Sequence, residues 1–514
     1  MSVSTFLLAH DIGTTGNKAT LFSKDGDVVA STFYGYNTNY PQVGWAEQNP
    51  NDWWKAVCHS TKELLQQANV LANEVASISF SAQMQGVVAV DQKGQLLRDA
   101  IIWADMRAED EAKYLSDSLG FDTIYEITGH RISSSYSGAK IVWIKHNEPD
   151  IYQKTYKFLH VKDYLIFKLT GKFGTDYTDA SGMNLLDLSK KEWSSKIVDA
   201  WGIDGEKLPN LYPSTYVIGE VTNTASAETG LQFGTPVVMG GGDGSCAALG
   251  AGIVEDGDIF NYIGSSSWIA LCSSEPLIDL EMKTFTFAHI DENKYLPCGT
   301  MQAAGTSYQW VRDQIYQNVI GNVGGRKNTY DVMNEEAGRS KPGANNLIYL
   351  PYLLGERSPW WDPKAKGSFI GLHVTHTRED IARATLEGIT MNLKVVLDTF
   401  RKYHGHFNDM WLFGGGAKSL LWRQILADIY GVEIHVPKLL DETTSMGAAI
   451  AGGVGAGVIK DLSVAKEWVK KDDSHLPNNE HRQLYDELFH IFQDAYKQLA
   501  PINHRLSDLH SKRG

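Results

Sequence analysis

Cysteine is scarce in this chain of 514 residues: Cys58, Cys246, Cys272 and Cys298 are the only four, and no CxxC pair occurs among them. Such spacing excludes a disulfide framework and a cysteine zinc site, and it suits a reducing cytoplasm. Long apolar runs are missing as well. The longest, residues 447–459, is too short and too rich in glycine to cross a bilayer, and no basic segment precedes the short apolar run at 6–9. Neither a membrane span nor a signal peptide is therefore expected, and the chain reads as soluble. Basic side chains are outnumbered, 47 against 61 acidic, for a formal net charge of −14. That balance repels phosphate polymers and anionic lipid, which argues against nucleic-acid and membrane partners while leaving room for a local pocket for one small anion. What is present is an ordinary folded composition, 43% hydrophobic and 21% charged with 14 tryptophans. It excludes disorder, collagen and coiled coil, and the length predicts two large domains or roughly three smaller ones.

Residues 6–11 read as a strand, Gly13, Thr14, Thr15 and Gly16 as a tight turn, and 18–23 as the returning strand, with a second hairpin through 27–34. Asp52 is placed to cap a helix carrying Trp54, Val57, Cys58, Thr61, Leu64 and Leu65 at helical spacing. Short strands are expected at 75–81 and 87–91. Halfway along, 236–239 is a buried-strand run that empties into Gly240, Gly241, Gly242, Asp243 and Gly244, followed by a helix at 247–252. Strand 259–263, a Gly264–Ser267 turn and strand 268–272 come next, so that NYIGSSSWIALC repeats the order of DIGTTGNKATLF. A long-period duplication of an α/β unit explains this, with the halves at 1–248 and 249–514. Near the end Leu484, Leu488, Ile491, Phe492, Ala495, Tyr496 and Leu499 stack on one helical face, and Pro501 is expected to end that helix.

Glycine turns followed by hydroxyls can aim N–H and O–H groups at a phosphate, because glycine permits close approach. Three occur: 13–16, Gly264 to Ser267 with Ser265 and Ser266, and the GGGAKS of Gly414, Gly415, Gly416, Ala417, Lys418 and Ser419. One alone is more often a plain hairpin, but three, two of them duplicated, point to a nucleotide. Alanine before Lys418 breaks the Walker A pattern, so a P-loop is disfavoured. Asp11 precedes the first turn and Asp243 lies in the glycine run after a buried strand, both at strand carboxyl ends, where open α/β sheets hold ligands. A lone aspartate beside glycine usually caps a turn. As a pair, these two suit phosphoryl transfer, which needs one carboxylate for a divalent metal and one to take the proton of the attacking hydroxyl. A third cluster, Gln83, Met84 and Gln85 with Trp103, Asp105 and Arg107, offers amide, carboxylate and guanidinium groups beside an aromatic plane, which suits a polyhydroxylated ligand; a surface Asp105–Arg107 salt bridge is the plainer alternative. His373/His376 and His404/His406 lack a third ligand and read as exposed loop histidines, Glu255, Asp256 and Asp258 read as a solvated turn, and no GxSxG elbow supports a hydrolase.

These residues resemble the FGGY carbohydrate kinases of the actin-like ATPase superfamily. SYSGAKIVWIKHN at 135–147, with Lys140 and Trp143, is similar to the family's first signature, and GSFIGLHVTHTREDIARATLE at 367–387 to its second. With DIGTT, GGGDG, GGGAKS and GAAIAGG the resemblance spans nearly the whole chain. It implies an actin-like (ribonuclease H-like) duplication, two α/β domains around a central cleft, with the sugar and first phosphate hairpin on the N-terminal one and ATP on the C-terminal one. It further implies ATP and Mg²⁺ as cofactors, Asp243 as general base, Asp11 with Asp243 toward the metal, and Thr14, Thr15, Gly264, Ser265 and Ser266 facing phosphates. Gly305 and Thr306 line the nucleotide side, Gly414 to Ala417 and Ser419 the adenosine, and Gln83, Met84, Gln85, Trp103, Asp105 and Arg107 the sugar. GWAEQ at 44–48 is most similar to xylulokinases, so D-xylulose is the expected substrate. Gln85 stands where those enzymes usually carry histidine and Gly244 where they carry asparagine, which leaves gluconate or another polyol or ketose as alternatives. A non-catalytic actin-like ATPase or a sugar-binding regulator is the reading from other classes. A homodimer is compatible with the resemblance.

Overall fold

The FLLAHDI segment is apolar on both faces, and β1 (Phe6–Ile12) accordingly lies in the middle of a sheet. It runs antiparallel to β2 (Gly16–Ser23), which pairs antiparallel with β3 (Val28–Gly35), and parallel to β4 (Val75–Ala82). Beyond β4 come β6 (Pro236–Val238), parallel to it, and the antiparallel edge strand β5 (Val217–Glu220). The structure is a computed structural model that describes residues 5–319, 328–438 and 442–511.

The second half repeats this layout. Strands β7 (Ile259–Ile263) and β8 (Ser267–Leu271) form the second hairpin, β9 (Phe285–Ala288) and β10 (Tyr295–Met301) extend the sheet on the β8 side, and β11 (Asp409–Phe413), β12 (Glu433–Pro437) and β13 (Lys471–His475) on the other. Here too the hairpin strand is parallel to the next two strands and an antiparallel strand closes the edge. Two sheets with the same sequence of senses bear out the duplicated α/β architecture.

Helix α1 (Pro50–Ala68) begins two residues before the expected cap, Asp52. Asn49 caps it, accepting from the Asn51 N–H, because Pro50 pre-sets the first helical φ; Asp52 falls in the first turn, where its charge meets the helix dipole. Helix α2 (Ser137–Asn147) holds the first signature, and α3 starts at Asp243 itself (Asp243–Gly250), earlier than a glycine run without periodicity suggests. Farther on lie α4 (Gly305–Ile315), α5 (Arg378–His404), α6 (Leu420–Tyr430) and α7 (Thr443–Gly455). The last helix, α8 (Arg482–Ser511), continues through Pro501. The exposed proline forfeits one backbone bond, but Asn503 beyond it is buried and His504 Nε2 lies 2.9 Å from Asp362, which holds the final turns in place.

Between the sheets lies a layer of two helices, α3 and α7. Side chains of α7 pack with Leu7, Ala9 and Phe22 of the first sheet, and Ala248 and Ala251 at the end of α3 with Phe260, Ala270 and Phe413 of the second. The helices touch backbone to backbone: a Cβ on Gly250 would lie 1.8 Å from the Thr443 carbonyl oxygen, and one on Gly447 would lie 1.9 Å from that of Cys246. The glycine-rich apolar run is thus an interdomain packing surface. The 248/249 cut falls inside α3, and the later half of the chain lends α7 to the earlier half's sheet. The acidic turn is also more than solvated, since Lys466 pairs with Glu255 and Asp258 while His404, at the end of α5, pairs with Asp256 at 3.0 Å. Among the described residues no helix is long and apolar enough to cross a membrane.

Candidate active site

Sheet register brings the two distant aspartates together. In adjacent parallel ladders Asp11 pairs with Ser81 and Ser81 with Gly241, so three neighbouring strands end side by side, and Asp243 follows two residues on. Gly240 makes this possible: at φ 63° it turns the chain where a Cβ would lie 2.0 Å from the Phe80 carbonyl oxygen, so that the strand resumes at Gly241–Gly242 and delivers Asp243 to the helix start. Both aspartates line one cavity of about 650 Å³, with Met84, Gln85, Trp103, Ser135 and Tyr136 from the first half and Trp268, Phe413, Gly414 and Gly415 from the second.

Asp11 accepts from Ser81 Oγ and Thr444 Oγ1, each at 2.8 Å. Thr444 stands on the first turn of α7, just after Glu442, which pairs with Lys18 at 2.6 Å, so the second half of the chain grips the end of β1. Burial raises the Asp11 pKa and outweighs the opposing hydroxyls and Lys18. Asp243 is open to the cleft, yet the surrounding protein displaces most of the water from its carboxyl. That desolvation, followed by the Asp11 charge, pushes its pKa up to about 7, against one stabilising bond from the Gly244 N–H at 2.7 Å. Two desolvated carboxylates, the charge of Asp11 raising the proton affinity of Asp243, fit a divalent cation.

The expected sugar-binding cluster divides. Met84 and Gln85 line the cavity, as does Trp103, whose Nε1 donates to Thr14 Oγ1 at 2.9 Å. Gln85 is held at φ 63°, a strained setting for a non-glycine residue. Gln83 lies behind them, buried and donating to Gln48 Oε1 at 2.8 Å, while Gln48 in turn donates to the Thr14 carbonyl at 2.7 Å. Asp105 and Arg107 also fail to reach the cavity. Both side chains are fully buried: the guanidinium pairs with Asp105 and with Glu47, each at 2.7 Å, and stacks 3.7 Å from the Trp45 ring. The expectation that these three touch substrate is therefore corrected, since each is engaged in protein contacts that shape the cleft from behind.

Lys140, the signature lysine, is the keystone of that wall. Its ammonium is fully buried and donates to the carbonyl oxygens of Gln85 (3.0 Å), Ile102 (2.7 Å) and Ser135 (2.6 Å). Three N–H donors meet three acceptors on the three loops that carry Gln85, Trp103 and Tyr136. Burial lowers its pKa to about 7, with Asp105 opposing. Lys140→Met leaves all three carbonyls without this donor, so a loss of about 2 to 4 kcal/mol in unfolding free energy is expected, with substrate KM rising at least about tenfold. A variant with unchanged denaturation midpoint and KM would disprove this role.

The candidate phosphate turns of the second half converge. Gly305 sits where a Cβ would be 2.3 Å from the Gly264 carbonyl oxygen, and the Thr306 N–H donates to Ser265 O at 3.0 Å. Gly414, at φ 84°, sits where a Cβ would be 2.5 Å from the Ile263 carbonyl oxygen. Ser265 and Ser266 are exposed, and Gly415 opens on the cavity, so backbone and hydroxyl groups without bulky side chains are presented together, a surface that fits a nucleotide's phosphates. Thr15 stays on the exposed tip of the first turn. Ser419 does not share in this surface: its hydroxyl accepts from the Trp422 N–H at 3.2 Å and caps α6. Gly416 and Ala417 are buried beneath the turn.

A buried charge cluster supports Asp243 from below. Lys162 lies 2.7 Å from Asp163, 2.8 Å from Asp176 and 3.1 Å from Asp179, all without exposed side-chain surface. Asp176 accepts from Thr178 Oγ1 at 2.6 Å, and Thr178 Oγ1 accepts from the Gly242 N–H at 2.8 Å, so the network ends one residue before Asp243. His160, Asp163 and Asp179 have metal-ligand spacing, but the Lys162 ammonium already supplies the cation there.

Sequence reasoning missed Ser81, Thr443 and Thr444, the Lys162 cluster, and Arg357 and Trp361, which also line the cavity. Only GERSP, at 355–359, gave a signal, a charged pair between a glycine and a proline after a buried strand. Comparison with known proteins gives the context. Residues 6–250 match the model of the N-terminal domain of the FGGY family of carbohydrate kinases, and residues 260–456 that of its C-terminal domain. A xylulose kinase of Bacillus subtilis is 33% identical over 97% of this chain and 98% of its own, and a gluconokinase of Bacillus licheniformis is 32% identical over 98% and 99%. The crystal structure of a gluconate kinase from Lactobacillus acidophilus superposes with a TM-score of 0.90 at 28% identity, covering 97% of this chain and 98% of that one.

Proposed function

This chain belongs to the FGGY family of carbohydrate kinases and is a sugar kinase, and on that premise we propose that its cleft moves the γ-phosphoryl group of ATP to a primary hydroxyl of an open-chain sugar, D-xylulose at its 5-position foremost. The observation that carries the reading is the register that sets Asp11 and Asp243 on either side of Ser81, facing one cavity. Asp243 accepts the proton of the attacking hydroxyl, and Met84, Gln85 and Trp103 orient the sugar. Asp11 and Asp243 would hold Mg²⁺, which neutralises phosphate charge when bound. The turns at Gly264 to Ser266, Gly305 to Thr306 and Gly414 to Gly415 receive the nucleotide. Gluconate is the second reading, favoured by a likeness to a gluconokinase, 32% against 33% for the xylulose kinase, and by Gly244. Four unpaired cysteines support a cytoplasmic location.

An ADP-release screen of pentuloses, aldonates, polyols and hexuloses with ATP and Mg²⁺ tests the assignment. Xylulose should be the best substrate, and gluconate or glycerol outperforming it would overturn that choice. A pH profile tests the base. Asp243 works deprotonated and its pKa is raised to about 7, so kcat/KM should fall about tenfold per unit below that pH and level off above it. Added Mg²⁺ should move the inflection toward acid, and a profile flat from pH 5 to 8 would remove Asp243 from the role.

A further inference from the structure

The wall of the cavity can be followed away from Asp243. A Cβ on Gly244 would stand 3.9 Å from the Trp268 ring, and Trp268 faces Thr300 across the β8–β10 ladder. Two residues past Thr300, the Gln302 N–H donates to Glu356 at 2.9 Å, and the same Glu356 oxygen accepts from the Arg357 N–H at 2.8 Å. Trp361 closes the turn by donating its backbone N–H to the Arg357 carbonyl. Thr300, Arg357 and Trp361 thus form one patch of the cavity wall contributed by the second half of the chain, whereas Asp11 stands on the first, and all three line the cavity.

Polar side-chain atoms that this patch turns to the cavity lack partners among the described residues. Thr300 Oγ1 and Trp361 Nε1 are buried and bonded to nothing among the described residues. The Arg357 guanidinium, half-buried in the cleft wall, makes no ion pair or hydrogen bond among the described residues. Glu356, the nearest carboxyl in sequence, points into the second-half core, accepts from two backbone N–H groups and from Asn392, and makes no ion pair with the guanidinium among the described residues; burial raises its pKa to about 8 against the pull of the Arg357 charge. Arg131, across the cleft, adds a second cation 5.1 Å over the Trp361 ring. A guanidinium and an indole N–H are donors only, and unpaired buried donors are costly, so this surface calls for a ligand atom that accepts without donating.

We propose that Thr300, Arg357 and Trp361 form a distal subsite for the oxidised end of an open-chain sugar, a ketose carbonyl or an aldonate carboxylate, while the hydroxyl to be phosphorylated lies at Asp243. The inference rests on the kinase reading above and deepens it. The cavity wall carries carboxylates on the Asp11–Asp243 side and donors on this patch, so the substrate is read for direction. An alditol, whose oxygens are all hydroxyls and none a carbonyl or carboxylate, satisfies the donors less well and is rejected.

The test compares D-xylulose with xylitol and D-gluconate with D-glucitol, using ADP release by the full-length protein. The oxidised member of at least one pair should exceed its alditol by about fiftyfold or more in kcat/KM, and Arg357→Met should shrink that ratio at least about tenfold, with Arg357→Lys intermediate. Rising KM with salt in the gluconate arm identifies a carboxylate, and a salt-independent xylulose arm a carbonyl. Thr300→Val, which keeps the side-chain shape, should lower the same ratio more mildly, and it stands in if Arg357→Met fails to fold. Alditols used within threefold of their oxidised partners, or a ratio untouched by both variants, would overturn the subsite. If no sugar releases ADP, the kinase reading falls, and binding decides: tryptophan fluorescence titrated with xylulose and gluconate should give affinities that drop at least about tenfold in Arg357→Met. No response to either sugar overturns the subsite as well.

Discussion

Replacing Asp243 with alanine is expected to lower turnover by about 10² to 10⁴, or about 3 to 5 kcal/mol of barrier, while the protein keeps its fold. The carboxyl sits on the first residue of α3, open to the cleft and held by a single internal bond from Gly244, so little structure depends on it. Asp243→Asn supplies a second readout with a sign. A carboxyl whose folded-state pKa is raised from the ordinary range to about 7 favours folding fully below that range and loses the contribution as pH climbs to 7. The neutral amide escapes that loss, so the metal-free Asn variant should melt above the parent at pH 8 and level with it at pH 4. Activity within threefold of the parent in the alanine variant, or an Asn variant that melts lower at pH 8, would show that Asp243 is a structural cap.

Lys162→Met should be the most damaging single change to stability. It leaves Asp163, Asp176 and Asp179 buried around an apolar side chain, and removing one partner of a buried ion pair costs about 3 to 5 kcal/mol. The effect has a pH sign. In the parent, Lys162 and His160 hold the Asp163 pKa down against the opposing burial, so that stability is present above the ordinary carboxylate range and is lost below it. In the variant burial wins and the carboxyls titrate higher, so its stability falls as pH rises. The gap between the two proteins should therefore widen from pH 5 to pH 8 in urea unfolding. Turnover should fall too, because Asp176 and Thr178 would no longer hold the Gly242 amide that precedes Asp243. Equal midpoints at pH 8 would refute the account.

Asp243 and Lys162 mark the two grades of legibility in this chain. Asp243 stands in a glycine run at the end of an apolar segment, and Asp11 precedes a matching turn, so short-range pattern was enough to single them out. Lys162 stands in VKDYLIFKLT, where nothing local distinguishes it from the exposed lysines of other helices; its partners are 14 and 17 residues away at Asp176 and Asp179. Asp105 and Arg107 failed in the opposite sense. Their spacing suggested ligand contact, but Trp45 and Glu47, more than fifty residues earlier, enclose them. The end of α8 was misread for a similar reason: proline signals a stop locally, and Asp362, far off in the chain, holds the helix beyond it.

The sequence by itself determined the duplicated hairpins, the α/β class, the family and the two carboxylates of the cleft, because turns, alternation and glycine demands act over a few residues and are written in order. Only the tertiary structure decided which polar side chains face the cavity. Facing is set by register between strands and by which distant element covers a group first: Gln83, Asp105 and Arg107 found partners in the protein, whereas the donors of Arg357, Trp361 and Thr300 found none among the described residues.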